Sequence, residues 1–327
     1  MNLRNGTIQQ HYVSQVEQRM NTCTPSAKKN KQRIFSFEID HQSSADELRL
    51  KPPVSKSIAS SLVLEDLFSF DRQPSSRLRH NFESLFHCHE ENLHSTTEQL
   101  LTKVDEQSPD ISEELIKLYE AKLMSFLRNP YSVAKILNTF RGIANYHPTD
   151  AALEETFQLV LNGRRPHQVA MCRKLGITDV QYRQWLGLMF MMLTELMPGR
   201  GSLFESAVNG LFRSPKIFVG VLVCVYTKEK CLLSDRAFST HLQNEHAEGM
   251  DFNLRHNAFV RYIFASRRAM LPSNTSQYVL DMSETLAPQI HFVYSVDDMK
   301  MLRGYNRNVI NQSHSHVFCS TDVGIIF

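Results

Sequence analysis

The feature that most constrains this chain is LGLMFMML, a run of large apolar residues at positions 186–193 that only one glycine interrupts. The run lies inside a predicted helix. Thr178 followed by Gln181 has the spacing of a capping box, so we expect the helix to begin there and to end before Pro198. A helix that is apolar on nearly every face must be buried on nearly every face. We therefore predict that residues 178–197 form the central helix of the fold.

Amphipathic patterns predict further helices along much of the chain, and only the last segments have β-prone composition. The predicted helices cover 111–127, 130–146, 150–163 and parts of 235–270, and the β-prone segments are 290–296 and 315–327. We therefore predict a mainly α, multi-helix globular protein with a small β-prone C-terminal segment.

The composition changes along the chain and suggests three regions. Residues 1–57 are rich in Gln, Asn, Ser and Lys, so we expect a disordered N-terminal arm. Residues 58–230 form the predicted helical core domain, and residues 231–327 form a helical and then β-prone C-terminal region. Within the arm, the basic run at 28–31 is interpreted as a solvated charge run, with a targeting patch as the alternative.

The overall composition excludes several classes of protein. Apolar residues make up 42% and charged residues 21% of the 327 residues, which is globular, and a net charge of +2 argues against a nucleic-acid or membrane coat. We see neither a signal peptide nor an apolar stretch long enough to span a membrane. Six scattered cysteines without a CxxC pair indicate reduced thiols. These observations predict a cytoplasmic protein without a membrane partner.

We also searched the sequence for catalytic motifs. It contains no GxSxG, HExxH, P-loop or GxGxxG pattern. Cys231, Asp235, His241 and His246 lie within sixteen positions, and a Cys–His pair can act as nucleophile and base where a fold joins them. Because nothing in the spacing requires that they meet, we expect no enzyme.

The stretch CRKLGITDVQYRQWL at 172–186 allows three interpretations. It can be the corner into a buried helix, or a helix-turn-helix over 170–187 in which Arg183 and Gln184 read DNA bases. The third is the corner after an iron-binding helix. A DNA-reading helix keeps an exposed outer face, whereas this helix continues into the apolar run at 186–193. The sequence therefore favours a buried corner over a DNA contact.

The segment VLNGRRPHQVAMCRKLGITDVQYRQWLGLMFMMLTELMPG at 160–199 resembles truncated bacterial-type globins. The positions that carry the resemblance are Pro166, Leu175, Tyr182 and Trp185-Leu186. The resemblance covers residues 110–225, about a third of the chain. It implies a globin-like helical fold, with the helices at 111–127, 130–146 and 150–163 on the distal side of a haem.

The globin resemblance also implies the residues that would hold the haem iron. The position that aligns with the proximal histidine is Cys172, and a cysteine thiolate can hold haem iron. His167 is the other candidate iron ligand, with the proximal helix shifted in register. His147 ends a predicted helix and would approach the distal side of the haem.

These observations lead to three functional expectations. The first is a non-catalytic protein with a globin-like segment that binds or senses haem or another small ligand. The alternative is a haem-free helical adaptor or regulatory protein that acts through protein–protein contacts, where methionines such as Met189 and Met191 can line an adaptable groove. The second alternative is helix-turn-helix DNA binding at 170–187.

Overall fold

The computed structural model describes residues 3–40, 48–72, 79–143, 146–197 and 199–327. Helix makes up 42% of the structure and strand 22%, and the strands form four sheets. The fold is therefore mixed α/β, and the prediction of a mainly α protein is wrong. The globin-like prediction is wrong for the same reason, because a globin is built of helices alone.

The described residues contain eleven α-helices, some of them short. They are α1 (Gln15–Met20), α2 (Glu83–Glu90), α3 (Leu93–Asp105), α4 (Ser112–Leu127), α5 (Val133–Thr139), α6 (Ala151–Asn162), α7 (Gln168–Leu175), α8 (Asp179–Leu193), α9 (Leu203–Arg213), α10 (Gln277–Ser283) and α11 (Met299–Gln312).

Thirteen strands lie between these helices in the described part of the chain. They are β1 (Gln9–His11), β2 (Arg33–Glu38), β3 (Val54–Ser57), β4 (Val63–Glu65), β5 (Asp71–Arg72), β6 (Arg79–His80), β7 (Ile217–Val225), β8 (Leu233–Ser234), β9 (Ser239–Gln243), β10 (Ala247–Arg255), β11 (Ala258–Ser266), β12 (Ile290–Val296) and β13 (His316–Cys319).

The chain divides into two compact units, and each is built from three separate segments. Unit 1 consists of Met1–Ser14, Leu62–Asn92 and Leu123–Ala207, and unit 2 consists of Gln15–Ser61, Leu93–Lys122 and Val208–Phe327.

Unit 1 is organised around α8, as the sequence predicts. Thr178 caps this helix with Gln181 in a complete capping box, and the side chains from Trp185 to Leu193 are buried. The indole Nε1 of Trp185 donates a hydrogen bond to the carbonyl oxygen of Leu127 over 2.8 Å. Pro198, the predicted helix stop, lies outside the described residues. The prediction of a buried central helix is confirmed, but α8 ends at Leu193, with Thr194 as its C-cap, and does not reach residue 197.

Unit 2 contains a five-stranded sheet in the order β12-β7-β11-β10-β9. Neighbouring strands are antiparallel except for β12, which runs parallel to β7. Strands β9 to β11 occupy much of the segment 235–270, where the sequence suggests helix, so that prediction is wrong. Phe252, Leu254 and Phe259 are fully buried. A strand that is buried on both faces lacks the polar alternation that separates strand from helix in a sequence.

The prediction of a disordered N-terminal arm is also wrong. Strands β2 and β3 belong to a four-stranded sheet of unit 2 in the order β3-β2-β13-β8. Ile34 and Phe37 of β2 are buried, and Phe37 joins the core of Val317 and Tyr305. The arm contains few apolar residues, but the few in β2 are placed by pairing with β13, nearly 300 positions later in the chain.

Candidate functional site

The three residues predicted to hold a haem, His147, His167 and Cys172, all lie in unit 1. Cys172 is buried within α7, and His167 immediately precedes that helix. His147 is 57% exposed, and its Nδ1 lies 3.7 Å from a carboxylate oxygen of Glu154. In the described part of the chain, no hydrogen bond, ion pair or ring contact joins any two of the three side chains. The haem and iron predictions rested on a globin-like fold, and the mixed α/β fold removes that basis.

The protonation of Cys172 does not favour an iron site, whereas His167 is held in the neutral form in which histidine binds metals. Burial raises the pKa of Cys172, and the carboxylate of Asp179 adds to the rise, so the thiolate that binds metals is disfavoured. Burial lowers the pKa of His167, and both of its ring nitrogens are buried without a hydrogen-bond partner. The charges near His167 include the fully buried Asp66, to which Arg79 donates over 2.6 Å. His167 is therefore a neutral side chain beside an internal ion pair.

The helix predicted to read DNA is mostly inaccessible. The side chain of Trp185 is fully buried, and Arg183 forms an ion pair with Asp179, one turn earlier, at 2.8 Å. Arg183 and Gln184 were proposed to read bases. Of these two, only Gln184 is exposed and lacks a charged partner among the described residues. From Trp185 onward, α8 lacks the exposed face that a recognition helix presents to the major groove.

The Cys–His grouping that the sequence places near 231–246 is not assembled as a catalytic pair. Cys231 is fully buried, and burial raises its pKa well above the ordinary value for a thiol. The Nδ1 atom of His241 lies 3.6 Å from Asp251, not beside the thiol. Asp235 accepts backbone N–H groups of residues 314–316 over 2.7–2.9 Å, so its carboxylate fixes the turn that precedes β13.

Unit 2 contains an open cleft of about 340 Å³ between α3 and the ends of several strands. Its lining residues come from four separate parts of the chain. They are Glu98, Leu101, Thr102, Asp105, Glu106, Val225, Arg255 and Tyr294.

The helical wall of the cleft follows from the pattern of α3. Leu101 and Val104 are buried, whereas Glu98, Thr102 and Asp105 are spaced by four and three positions and therefore share one face. The spacing of these residues predicts a polar face of the helix, but such a face is usually no more than a solvent-exposed surface. The opposing wall, with Arg255 and Tyr294, depends on how the sheet packs and has no local sequence signal.

Carboxylates predominate in the cleft. The guanidinium of Arg255 forms a double hydrogen bond to Glu98, from Nη1 to both carboxylate oxygens at 3.3 and 3.1 Å. Asp105 and Glu106 have no ion-pair partner among the described residues. Burial raises the pKa of Tyr294, Asp105 adds to the rise and Arg255 opposes it. The cleft thus holds three carboxylates against one guanidinium, beside a phenol that stays neutral.

Comparisons with protein families, curated proteins and solved structures gave no match to this chain. Within the described residues, no helix is both long and apolar enough to cross a membrane. The geometry of the chain is therefore the basis for a functional proposal.

Proposed function

We propose that the chain is a binding protein and that its cleft in unit 2 holds a cationic group, an amine or a guanidinium. The observation that carries the proposal is the excess of carboxylates in the cleft. Arg255 pairs with Glu98, while Asp105 and Glu106 have no ion-pair partner among the described residues. A cation that enters the cleft supplies the missing positive charge.

The size and wall of the cleft fit the same class of ligand. A volume of about 340 Å³ is near the lower end of small-molecule sites, so it suits one side-chain-sized group better than a large cofactor. The aromatic ring of Tyr294 offers a face on which a guanidinium or ammonium can stack. Leu101 and Val225 provide apolar surface for the methylene groups that carry such a cation.

Calorimetric titration with N-acetyl-arginine amide tests the proposal, and the uncharged citrulline analogue serves as the ligand control. We expect the arginine compound to bind and the citrulline compound not to bind. Asp105→Asn and Glu106→Gln should each weaken binding about two- to fivefold, as expected for removal of one partly exposed charge pair. Glu245→Gln, which removes an 83% exposed carboxylate elsewhere in unit 2, should leave the affinity unchanged.

Arg255→Gln gives an effect of opposite sign. Without the guanidinium of Arg255, Glu98 loses its ion-pair partner and the net negative charge of the cleft increases. The arginine compound should therefore bind more tightly. Higher salt should weaken binding in every variant, because the interaction is between charges. Equal binding of the arginine and citrulline compounds, or weaker binding to Arg255→Gln, would contradict the proposal.

A further inference from the structure

Strand β12 forms one edge of the five-stranded sheet in unit 2. It pairs in parallel with β7 through all seven residues from Ile290 to Val296, and it pairs with no other strand in the described part of the chain. An edge strand presents a row of backbone N–H and C=O groups that point away from the sheet. This edge therefore offers unused hydrogen-bonding capacity to another strand.

The opposite edge of the same sheet is closed by the protein itself. The side chain of Gln312 forms two hydrogen bonds to the backbone of Thr240 in β9. It accepts from the N–H over 2.7 Å and donates to the carbonyl oxygen. The pairing of β9 with β10 also contains a register shift between Gly249 and Met250. Side-chain caps and bulges of this kind prevent the addition of further strands.

Strand β12 has none of these protections. Its sequence, IHFVYSV, contains no Asp, Glu, Lys, Arg or Pro, and its register with β7 is regular. Val293 is 58% exposed and Val296 is 51% exposed. Charged residues, prolines and bulges are the usual means by which proteins keep an edge strand from pairing. The contrast with β9 indicates that the β12 edge is left open to a partner.

The segment before β12 also has exposed apolar side chains. Tyr278, Val279, Met282 and Leu286 are between 46% and 74% exposed. The same segment is held in place, because Arg267 donates to the carbonyl oxygens of Leu286, Ala287 and Ile217. An anchored segment with outward apolar side chains is typical of a binding surface.

The cleft defines which kind of partner fits the edge. Tyr294 belongs to β12 and also lines the cleft, so the cleft reaches the edge strand. A strand added to β12 can therefore place a side chain in the cleft, and the free carboxylates of Asp105 and Glu106 favour a basic one. A second copy of β12 does not fit this requirement, because IHFVYSV contains neither Lys nor Arg.

We propose that β12 receives an extended peptide segment of a protein partner, and that an arginine or lysine of this segment enters the cleft. The inference rests on the proposed function of the cleft and adds the class of molecule that carries the cation. Backbone pairing with β12 supplies affinity in this mode, and the basic side chain supplies specificity.

The probe is a fluorescently labelled nine-residue peptide of alternating threonine and valine with one central arginine. We expect it to bind the full chain at least tenfold more tightly than N-acetyl-arginine amide, and to slow hydrogen exchange of the amides at 290–296. Two analogues carry N-methyl groups on alternate amides, one analogue for each edge of the peptide. One analogue should lose at least tenfold in affinity and the other should not, because only one edge of an added strand faces β12.

A citrulline analogue of the peptide separates the two proposals. If the cleft binds a cation but β12 adds no strand, replacing arginine weakens binding while both N-methylated peptides bind like the parent, and the edge inference is overturned. If N-methylation weakens binding while citrulline does not, the edge binds a strand but the role of the cleft is contradicted.

A matched pair of variants tests the position of the peptide. Val293→Asp should weaken binding even though its charge attracts a basic peptide, and Val323→Asp, at a 71% exposed site outside β12, should have no effect. Sedimentation velocity of the full chain without peptide tests whether a second copy of the chain occupies the β12 edge instead. A dimer that Val293→Asp dissociates would assign the edge to a second copy and overturn the inference.

Discussion

At the scale of single residues, unit 1 contains a group of buried and half-buried ionisable side chains at α2. Burial raises the pKa of Glu83 to about 7; the nearby Glu90 carboxylate adds to the rise, whereas Arg128 opposes it. Arg128 is itself almost fully buried and forms an ion pair with Glu90. Because burial is the largest cause of this shift, Glu83 is about half protonated near neutral pH even beside the positive charge of Arg128.

The pH dependence of Glu83 gives a prediction with a definite sign. Its folded-state pKa is about 7, above the value of about 4.3 for an exposed glutamate, so the folded state binds more protons between these values. The free energy of unfolding should therefore fall as pH rises through this window. Glu83→Gln mimics the neutral form and should be more stable than the wild type at pH 8, by up to about 4 kcal/mol. Urea unfolding at pH 5 and pH 8 measures the difference.

An exposed glutamate provides the control for this prediction. Glu65→Gln, at the exposed end of β4, should change stability little and equally at both pH values. A Glu83→Gln effect that is the same at pH 5 and pH 8 would show that ionisation of this carboxyl does not affect stability.

Single residues also show how far the candidate site was predictable. The polar face of α3 can be read from the spacing of Glu98, Thr102 and Asp105. Arg255 and Tyr294 form the wall of the cleft opposite this face. They are distant from α3 in the chain, and no local sequence pattern predicts them. The predicted haem ligands had residue type as their main local signal. A histidine or cysteine in an isolated sequence looks the same whether it is a metal ligand or a buried neutral side chain, as His167 is.

At the scale of elements, helix α8 was predictable because several local signals agreed. The capping box, the length of the apolar run and the absence of an internal proline all indicate one buried helix, and the structure contains it. In β10, the six consecutive residues from Gly249 to Leu254 are buried, so they carry no alternation that separates strand from helix. The sequence pattern assigned helix to the whole region of strands β9 to β11. Their assignment is decided by pairing: β11 lies between β7 and β10.

The N-terminal cap of α8 can be tested by substitution. The Thr178 side chain accepts a hydrogen bond from the backbone N–H of Gln181 over 3.1 Å. Thr178→Ala removes this acceptor and should lower the free energy of unfolding by about 1 kcal/mol, whereas Thr178→Ser keeps a hydroxyl and should retain most of the stability. Urea unfolding of both variants measures the effect. Equal losses for alanine and serine would mean that the lost methyl group, not the cap, is responsible.

At the scale of the whole molecule, long-range pairing determines the fold. The strands of the four-stranded sheet come from residues 33–38, 54–57, 233–234 and 316–319. Each compact unit is likewise assembled from three separated segments. Reading local composition in order along the chain suggested an arm, a core and a tail. The early segment instead supplies two strands to a sheet that the C-terminal segment completes, so no local pattern could reveal its role.

The topology predicts that the first 57 residues are required for stability. A fragment of residues 58–327 lacks β2 and β3, so β13 keeps only the short strand β8 as a partner, and the buried side chains of Val317 and Phe318 become exposed. We expect this fragment to aggregate or to unfold at a much lower urea concentration than the full chain. A synthetic peptide of residues 1–57 should restore part of the stability when added in trans, because it supplies the missing strands. If the fragment unfolded at the same urea concentration as the full chain, the first 57 residues would be dispensable for stability. That result would support the interpretation of these residues as a disordered arm.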